Sequence, residues 1–170
     1  MNRMFFILIA AAFTACSNEP EKSLVYSNDA EQALGWINQN TLKASNEAHS
    51  GGWISCIDST FAYSLTFREK LSEVREIEAN TINAKAWVRL ISPAAKGGLV
   101  ISVDDNGKNL LWQMLPLESV ITKPGEWEIV KYKVALPADA PSTAVVSTYF
   151  WNQGKEEIHI DDMEVEFTRR

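Results

Sequence analysis

The chain has 170 residues, 46% of them hydrophobic and 22% charged, with a formal net charge of −6 and a pI near 5.0. That length suits one domain with a short tail, and that balance of apolar and charged residues excludes global disorder. The acidic balance argues against a nucleic-acid partner, because phosphate binding rests on clustered Lys and Arg. Beyond the first residues no apolar run nears the roughly 18 residues that a membrane-spanning helix needs.

The N-terminal "MNRMFFILIAAAFTACSNEPEK" reads as a targeting segment: Arg3 is the positive flank, residues 4–13 the apolar run, and Ala15 a small residue at a cleavage point. Cys16 directly after "FTA" resembles the lipobox of bacterial lipoproteins, with Phe13 where Leu is usual. The resemblance implies acylation of Cys16 and a lipid anchor that holds the protein to a membrane without spanning it. An ordinary secretory signal with a free Cys16 is the alternative. Ser17 after the cysteine implies the outer membrane, and "SNEPE" resembles the surface-export tag of Bacteroidetes lipoproteins. Residues 1–15 are thus expected to be a signal peptide, 16–22 a polar tether and 23–170 the folded domain. With Cys16 acylated only Cys56 remains, so no intramolecular disulfide is expected. Cys56 lies in "GWISCID" without a His-Asp companion pattern, as expected of a buried inert thiol.

Strand signals follow in close order, separated by turn residues. They fall at 24–27, 41–45, 52–57, 62–68, 83–91, 98–115, 127–136, 143–152 and 157–167. The segment 98–115 is a hairpin with Asn106-Gly107 at its turn. A weak apolar rhythm over 68–80 permits one short helix. About eight or nine strands with almost no helix predict an all-β antiparallel sandwich of the jelly-roll type.

The last strand, "EEIHIDDMEVEF", changes parity in its middle. Ile158 and Ile160 share one face, whereas Met163, Val165 and Phe167 share the other, so the register must slip by one residue near Asp161 and Asp162. A carboxylate turned inward there requires a compensating partner, because an unpaired buried charge is very costly.

Taken with "SNDAEQALGW" at 27–36 and "SNEAHSGGW" at 45–53, this strand resembles the jelly-roll carbohydrate-binding modules of families 4 and 9 and their relatives. In such modules these three segments clamp one structural calcium. The resemblance implies side-chain ligands from Glu31, Glu47 and Asp161, and backbone carbonyl ligands from Asp29 and Ser50. Ala30 stands where the family usually has Phe, and Asp29 where it usually has Gly. Calcium takes six to eight oxygen ligands, and a hard cation would relieve the repulsion of three gathered carboxylates. Solvated acids near turns are the alternative.

Six Trp suggest stacking platforms for pyranose rings. Parity sets Trp87 and Arg89 opposite the apolar set Ala86, Val88 and Leu90, and sets Tyr149 and Trp151 opposite Val146 and Phe150. An open sheet face holding Trp87, Arg89, Tyr149 and Trp151, with Trp112 and Gln113 nearby, would suit a glycan. Trp36 and Trp127 are expected in the core. The two histidines, His49 and His159, belong to no HExxH, and no GxSxG or phosphate-loop pattern occurs, so no enzyme is expected. The function implied is non-catalytic binding of a polysaccharide or oligosaccharide by a lipid-anchored envelope protein. The alternative is an envelope structural or protein-interaction component of the same fold.

Overall fold

The last strand holds the larger sheet together. In the computed structural model, whose described residues are 22–169, the strands are β1 (Ser23–Asn28), β2 (Leu42–Ala44), β3 (Trp53–Ile57), β4 (Phe67–Lys70), β5 (Thr81–Leu90), β6 (Gly97–Asp105), β7 (Lys108–Pro116), β8 (Glu128–Ala135), β9 (Val145–Asn152) and β10 (Ile158–Thr168). One edge of β10 pairs first with β3 and then with β1, and its other edge runs along β5. With β2 beyond β3 and β8 beyond β5 this makes a six-stranded antiparallel sheet. The second sheet has the order β4-β9-β6-β7. The protein is an antiparallel β-sandwich of the jelly-roll class. A single helical turn, α1 (Leu71–Val74), and the 3-10 turn after it (Arg75–Ile77) occupy the segment with the weak helical rhythm.

The core fills the space between the sheets. Ile158 and Ile160 before the parity change, and Met163, Val165 and Phe167 after it, all lie in the core with Ala86, Val88, Leu99, Ile101 and Phe150. The register of β10 against β5 shifts between Asp161 and Glu164. Asp162 adopts a left-handed φ of 47°, a conformation that Asp tolerates better than most residues. The bulge lies where β10 leaves β3 and takes up β1, so both apolar sets reach the core and both aspartates face outward. Asn106 (φ 47°) and Gly107 (φ 81°) close the β6–β7 hairpin. Positive φ at both central residues is the type I′ requirement that favours Asn-Gly.

Trp36 packs on the core, its ring 5.4 Å from Phe67. Trp127 departs from expectation and lies on the outer face of the six-stranded sheet, where its indole donates to the Glu47 carbonyl at 3.0 Å. It precedes β8, so strand alternation does not govern its direction.

Candidate functional site

The two outer faces of the sandwich carry different chemistry, and the five expected ligand residues divide between them. Trp87 and Arg89 stand on β5 in the six-stranded sheet; Trp112, Tyr149 and Trp151 stand on β7 and β9 in the other. Correct parity put Trp87, Arg89, Tyr149 and Trp151 outward, but parity within a strand does not say which sheet that strand joins. Gln113 points to the core side and accepts from the Tyr132 hydroxyl at 3.2 Å.

On the four-stranded sheet, cross-strand register builds an aromatic face. Val100 lies opposite Tyr149 and Met114, Ser102 opposite Ser147 and Trp112, and Gly98 opposite Trp151. Val100 and Ser102 point away from the core, yet they are buried, because the aromatic side chains on either side rise above them as walls. At Gly98 a Cβ would come within 2.3 Å of Met114, so the glycine lets that side chain lie across the strand. Trp112 and Trp151 meet edge to face at 6.2 Å, and Tyr63 and Tyr149 at 5.7 Å. The Trp112 indole adjoins the Tyr149 hydroxyl and acts to lower its pKa, so the two pairs form one surface. Burial pushes the Tyr149 hydroxyl pKa above its ordinary value, so the group stays protonated and available as a donor.

A hollow of about 260 Å³ adjoins these rings, lined by Asn38, Tyr63, Arg68, Ser102, Asp104 and Tyr149 among others. Tyr63 and Trp112 remain 49% and 47% exposed, which large aromatic side chains do at a cost that binding surfaces recover. Tyr63 escaped sequence reasoning for a physical reason. It shares parity with Leu65 and Phe67, both buried, but β4 begins only at Phe67. The preceding segment touches its neighbours through isolated bridges, Tyr63 to Trp151 and Ile37 to Thr66, and so escapes strict alternation.

On the six-stranded sheet, the loop spanning residues 45–53 folds down over Trp87, Arg89 and the bulge. The backbone N–H groups of His49 and Ser50 donate to Asp161 Oδ2 at 2.9 and 3.1 Å, and that of Asp162 donates to Asp161 Oδ1 at 2.8 Å. These three donors compensate a carboxylate that is only 1% exposed. Asp162 accepts from the Ser50 hydroxyl at 2.7 Å and meets His49 Nδ1 at 2.6 Å. The His49 ring stacks on Trp87 at 4.0 Å, so one face of that indole is already occupied. A larger hollow of about 490 Å³ lies beside Trp87 and the bulge, with Asp29, Lys85, Asp162 and Glu164 on its walls. Charged groups dominate it, and no pair of aromatic rings opens onto it.

The expected calcium ligands gather only in part. Glu31 Oε1 accepts from the N–H groups of Gly52 and Trp53 at 2.6 and 3.0 Å, and Asp161 holds the preceding residues of the same loop. Asp29 lies at the start of the Glu31 turn, its side chain accepting from the Glu31 N–H at 3.2 Å. Glu47 instead turns its carboxylate to Arg89, 3.1 Å away, and its side chain is 59% exposed. Among the described residues the one group of three or more Asp, Glu, His or Cys side chains with ligand atoms within 4.8 Å of one another is Cys56, Glu157 and His159. Glu31, Asp161 and nearby carbonyls are a chemically suitable oxygen set for a hard cation; Glu47 is committed to a guanidinium.

Gly51 makes the loop's path possible. Its φ is +57°, and a Cβ would stand 2.1 Å from Glu31 Oε1. Gly51→Ala is therefore expected to strain the turn and expel the Glu31 carboxylate, lowering stability by about 1–3 kcal/mol; the midpoint of urea denaturation reads this. Cys56 is fully buried, and burial together with its bond to Glu157 pushes the thiol pKa up to about 12. The thiolate is the reactive form, so in a Cys16→Ser chain a thiol reagent should react with Cys56 at neutral pH far more slowly than after denaturation.

Comparison with known proteins places the fold. No family model matches the chain, and no curated protein does. Solved structures do. The CBM22-2 xylan-binding domain from Paenibacillus barcinonensis Xyn10C superposes with a TM-score of 0.56 at 15% identity, covering 82% of this chain and 97% of that one. The C-terminal family 22 carbohydrate binding module of Clostridium thermocellum Xyn10B gives 0.56 at 14% identity, covering 84% and 91%. A further xylan-binding domain of family 22 gives 0.54 at 14%, covering 84% and 93%. The chain therefore has the β-sandwich fold of carbohydrate-binding modules, at an identity that speaks for the fold alone.

Proposed function

We propose that this protein is a non-catalytic glycan-binding module that takes a polysaccharide or oligosaccharide on the outer face of its four-stranded sheet. One observation carries the reading: the outward-facing floor of that sheet is buried beneath two linked aromatic pairs, Tyr63–Tyr149 and Trp112–Trp151, beside a hollow edged by Arg68 and Asp104. Flat rings stack on the apolar faces of sugars, and the polar rim suits their hydroxyls. Trp87 and Arg89 are left out of this site, since they hold the 45–53 loop. Xylan, named for two of the similar structures, is the first ligand to try.

Calcium is proposed as the structural ion, held by the side chains of Glu31 and Asp161 with backbone carbonyls of Asp29 and Ser50. The order of the three acidic segments supports a kinship to families 4 and 9 within the same fold. Cys16 and the rest of the leader lie outside the described residues. Their sequence supports a lipid-anchored protein of the outer membrane, exposed at the cell surface.

Affinity electrophoresis through gels containing xylan, mixed-linkage glucan, galactan or mannan tests the sugar reading. Retardation in at least one gel is expected; unretarded migration in all, by a protein that melts cooperatively, would leave a protein-interaction role in its place.

A further inference from the structure

We propose that Cys56, Glu157 and His159 form a binding site for a thiophilic divalent cation, of which zinc is the type, on the outer face of the six-stranded sheet. The site lies on the opposite side of the sandwich from the aromatic face and does not rest on the glycan reading.

The backbone puts the three side chains together. His159 of β10 is the register partner of Cys56 of β3, so their Cβ atoms share one face at cross-strand distance. Glu157 precedes His159 by two residues and reaches the same face. Their ligand atoms all lie within 4.8 Å of one another. Glu157 Oε1 accepts from the Cys56 thiol at 2.9 Å and meets His159 Nε2 at 2.7 Å. Zinc–ligand bonds of about 2.0–2.3 Å in tetrahedral array set neighbouring donor atoms about 3.3–3.6 Å apart. An ion therefore enters if the trio opens by less than about 1 Å. Glu157, whose side chain is 43% exposed, is the member free to make that movement, while Cys56 and His159 are fixed by their strands. Two rigid donors, a soft thiolate and an intermediate imidazole, beside one adjustable carboxylate suit zinc better than calcium, which takes oxygen alone.

The charges and protons balance. With the imidazole neutral, thiol, carboxylate and imidazole together carry −1. Entry of Zn²⁺ expels the thiol proton to solvent, and the imidazole carries its proton on Nδ1 so that Nε2 can coordinate. Without the ion, the Glu157 carboxylate 2.7 Å from Nε2 holds the proton there; metal entry breaks that bond and moves the proton to Nδ1, which is buried without a hydrogen-bond partner. Thiolate, carboxylate, imidazole and Zn²⁺ then sum to zero. Lys43 Nζ, now 3.2 Å from the Cys56 sulfur, has a second partner in Asp58 at 3.5 Å and can withdraw to it. Three protein donors leave the fourth tetrahedral position for water, and the ion would staple β3 to β10.

The test uses the full chain carrying Cys16→Ser, titrated with Co²⁺ under a non-thiol reductant. One equivalent should produce a thiolate-to-cobalt charge-transfer band in the near ultraviolet that Zn²⁺ abolishes, and Zn²⁺ should raise the melting temperature. Cys56→Ser should eliminate the band. Glu157→Gln, at the exposed member and so least able to disturb folding, should weaken cobalt binding by at least the ~10–100-fold that loss of an outer-shell partner costs. A folded protein that shows no such band at any cobalt concentration overturns the proposal and leaves a hydrogen-bonded trio. One-to-one binding of undiminished affinity in Cys56→Ser also overturns it, by placing the ion elsewhere.

Discussion

Alanine at Trp112 or Trp151 is expected to weaken glycan binding by roughly ten- to thirty-fold, the loss of about 1.4–2 kcal/mol that truncating an aromatic anchor brings. The two rings meet at 6.2 Å, so their effects should not add, and the double variant should lose less than the product of the single losses. Trp112 stands exposed on β7, an edge strand of its sheet, and its removal should leave the melting temperature nearly unchanged. That separation of affinity from stability makes it the more decisive of the two. Tyr149→Phe should cost less, removing only the hydroxyl beside the Trp112 indole. Ile129→Ser, on the exposed face of the opposite sheet, should bind as the natural chain does. Isothermal titration with the oligosaccharide matching the retarding gel measures all five. Equal affinity in Trp112→Ala, Trp151→Ala and the natural chain would remove the aromatic face from the site.

What could be read from the residues follows the reach of each physical rule. Alternation is local, so it assigned the outward direction of Trp87, Tyr149 and Trp151 and foretold the bulge at Asp161–Asp162 from two apolar sets of opposite parity. Turn chemistry is local too, and Asn106-Gly107 announced its hairpin. Sheet membership is not local. Whether β5 and β9 share a sheet depends on pairings across about forty to ninety positions of chain, and nothing in "NAKAWVRLI" or "TAVVSTYFWN" encodes it. The single expected groove therefore resolved into two faces. Loop capture was equally invisible: "SNEAHSGGW" does not disclose that His49 will cover Trp87 or that Arg89 will draw Glu47 aside. Cys56 looked inert in its own strand. Only its register against His159 reveals the company it keeps.

Asp161→Ala is expected to be the most damaging single change, at about 3 kcal/mol or more. Three backbone N–H groups, those of His49, Ser50 and Asp162, would lose their acceptor, and each orphaned donor costs about 1–3 kcal/mol where water cannot replace the bond. Chemical denaturation reads the loss as a lower midpoint with unchanged slope. Without a cation this carboxylate is also a liability. Burial is the largest influence on it and raises its pKa, with the neighbouring Asp162 charge acting the same way; the three N–H groups oppose the rise without cancelling it. A raised folded pKa means the folded chain holds this proton more tightly than the unfolded chain. The contribution of Asp161 to stability is thus greatest below the ordinary aspartate pKa and declines as pH climbs through it to the raised folded value. At neutral pH a bound Ca²⁺ would reverse that penalty. Stabilisation is then about 2.7 kcal/mol at a hundredfold excess over the dissociation constant, and a chelator should take it away. The gain should vanish in Asp161→Asn and Glu31→Gln but survive in Glu47→Gln, whose carboxylate already serves Arg89. A midpoint indifferent to calcium would eliminate the ion from this fold, whereas loss of the response in Glu47→Gln would return that residue to the ligand set and break the Arg89 pairing on which its exclusion stands.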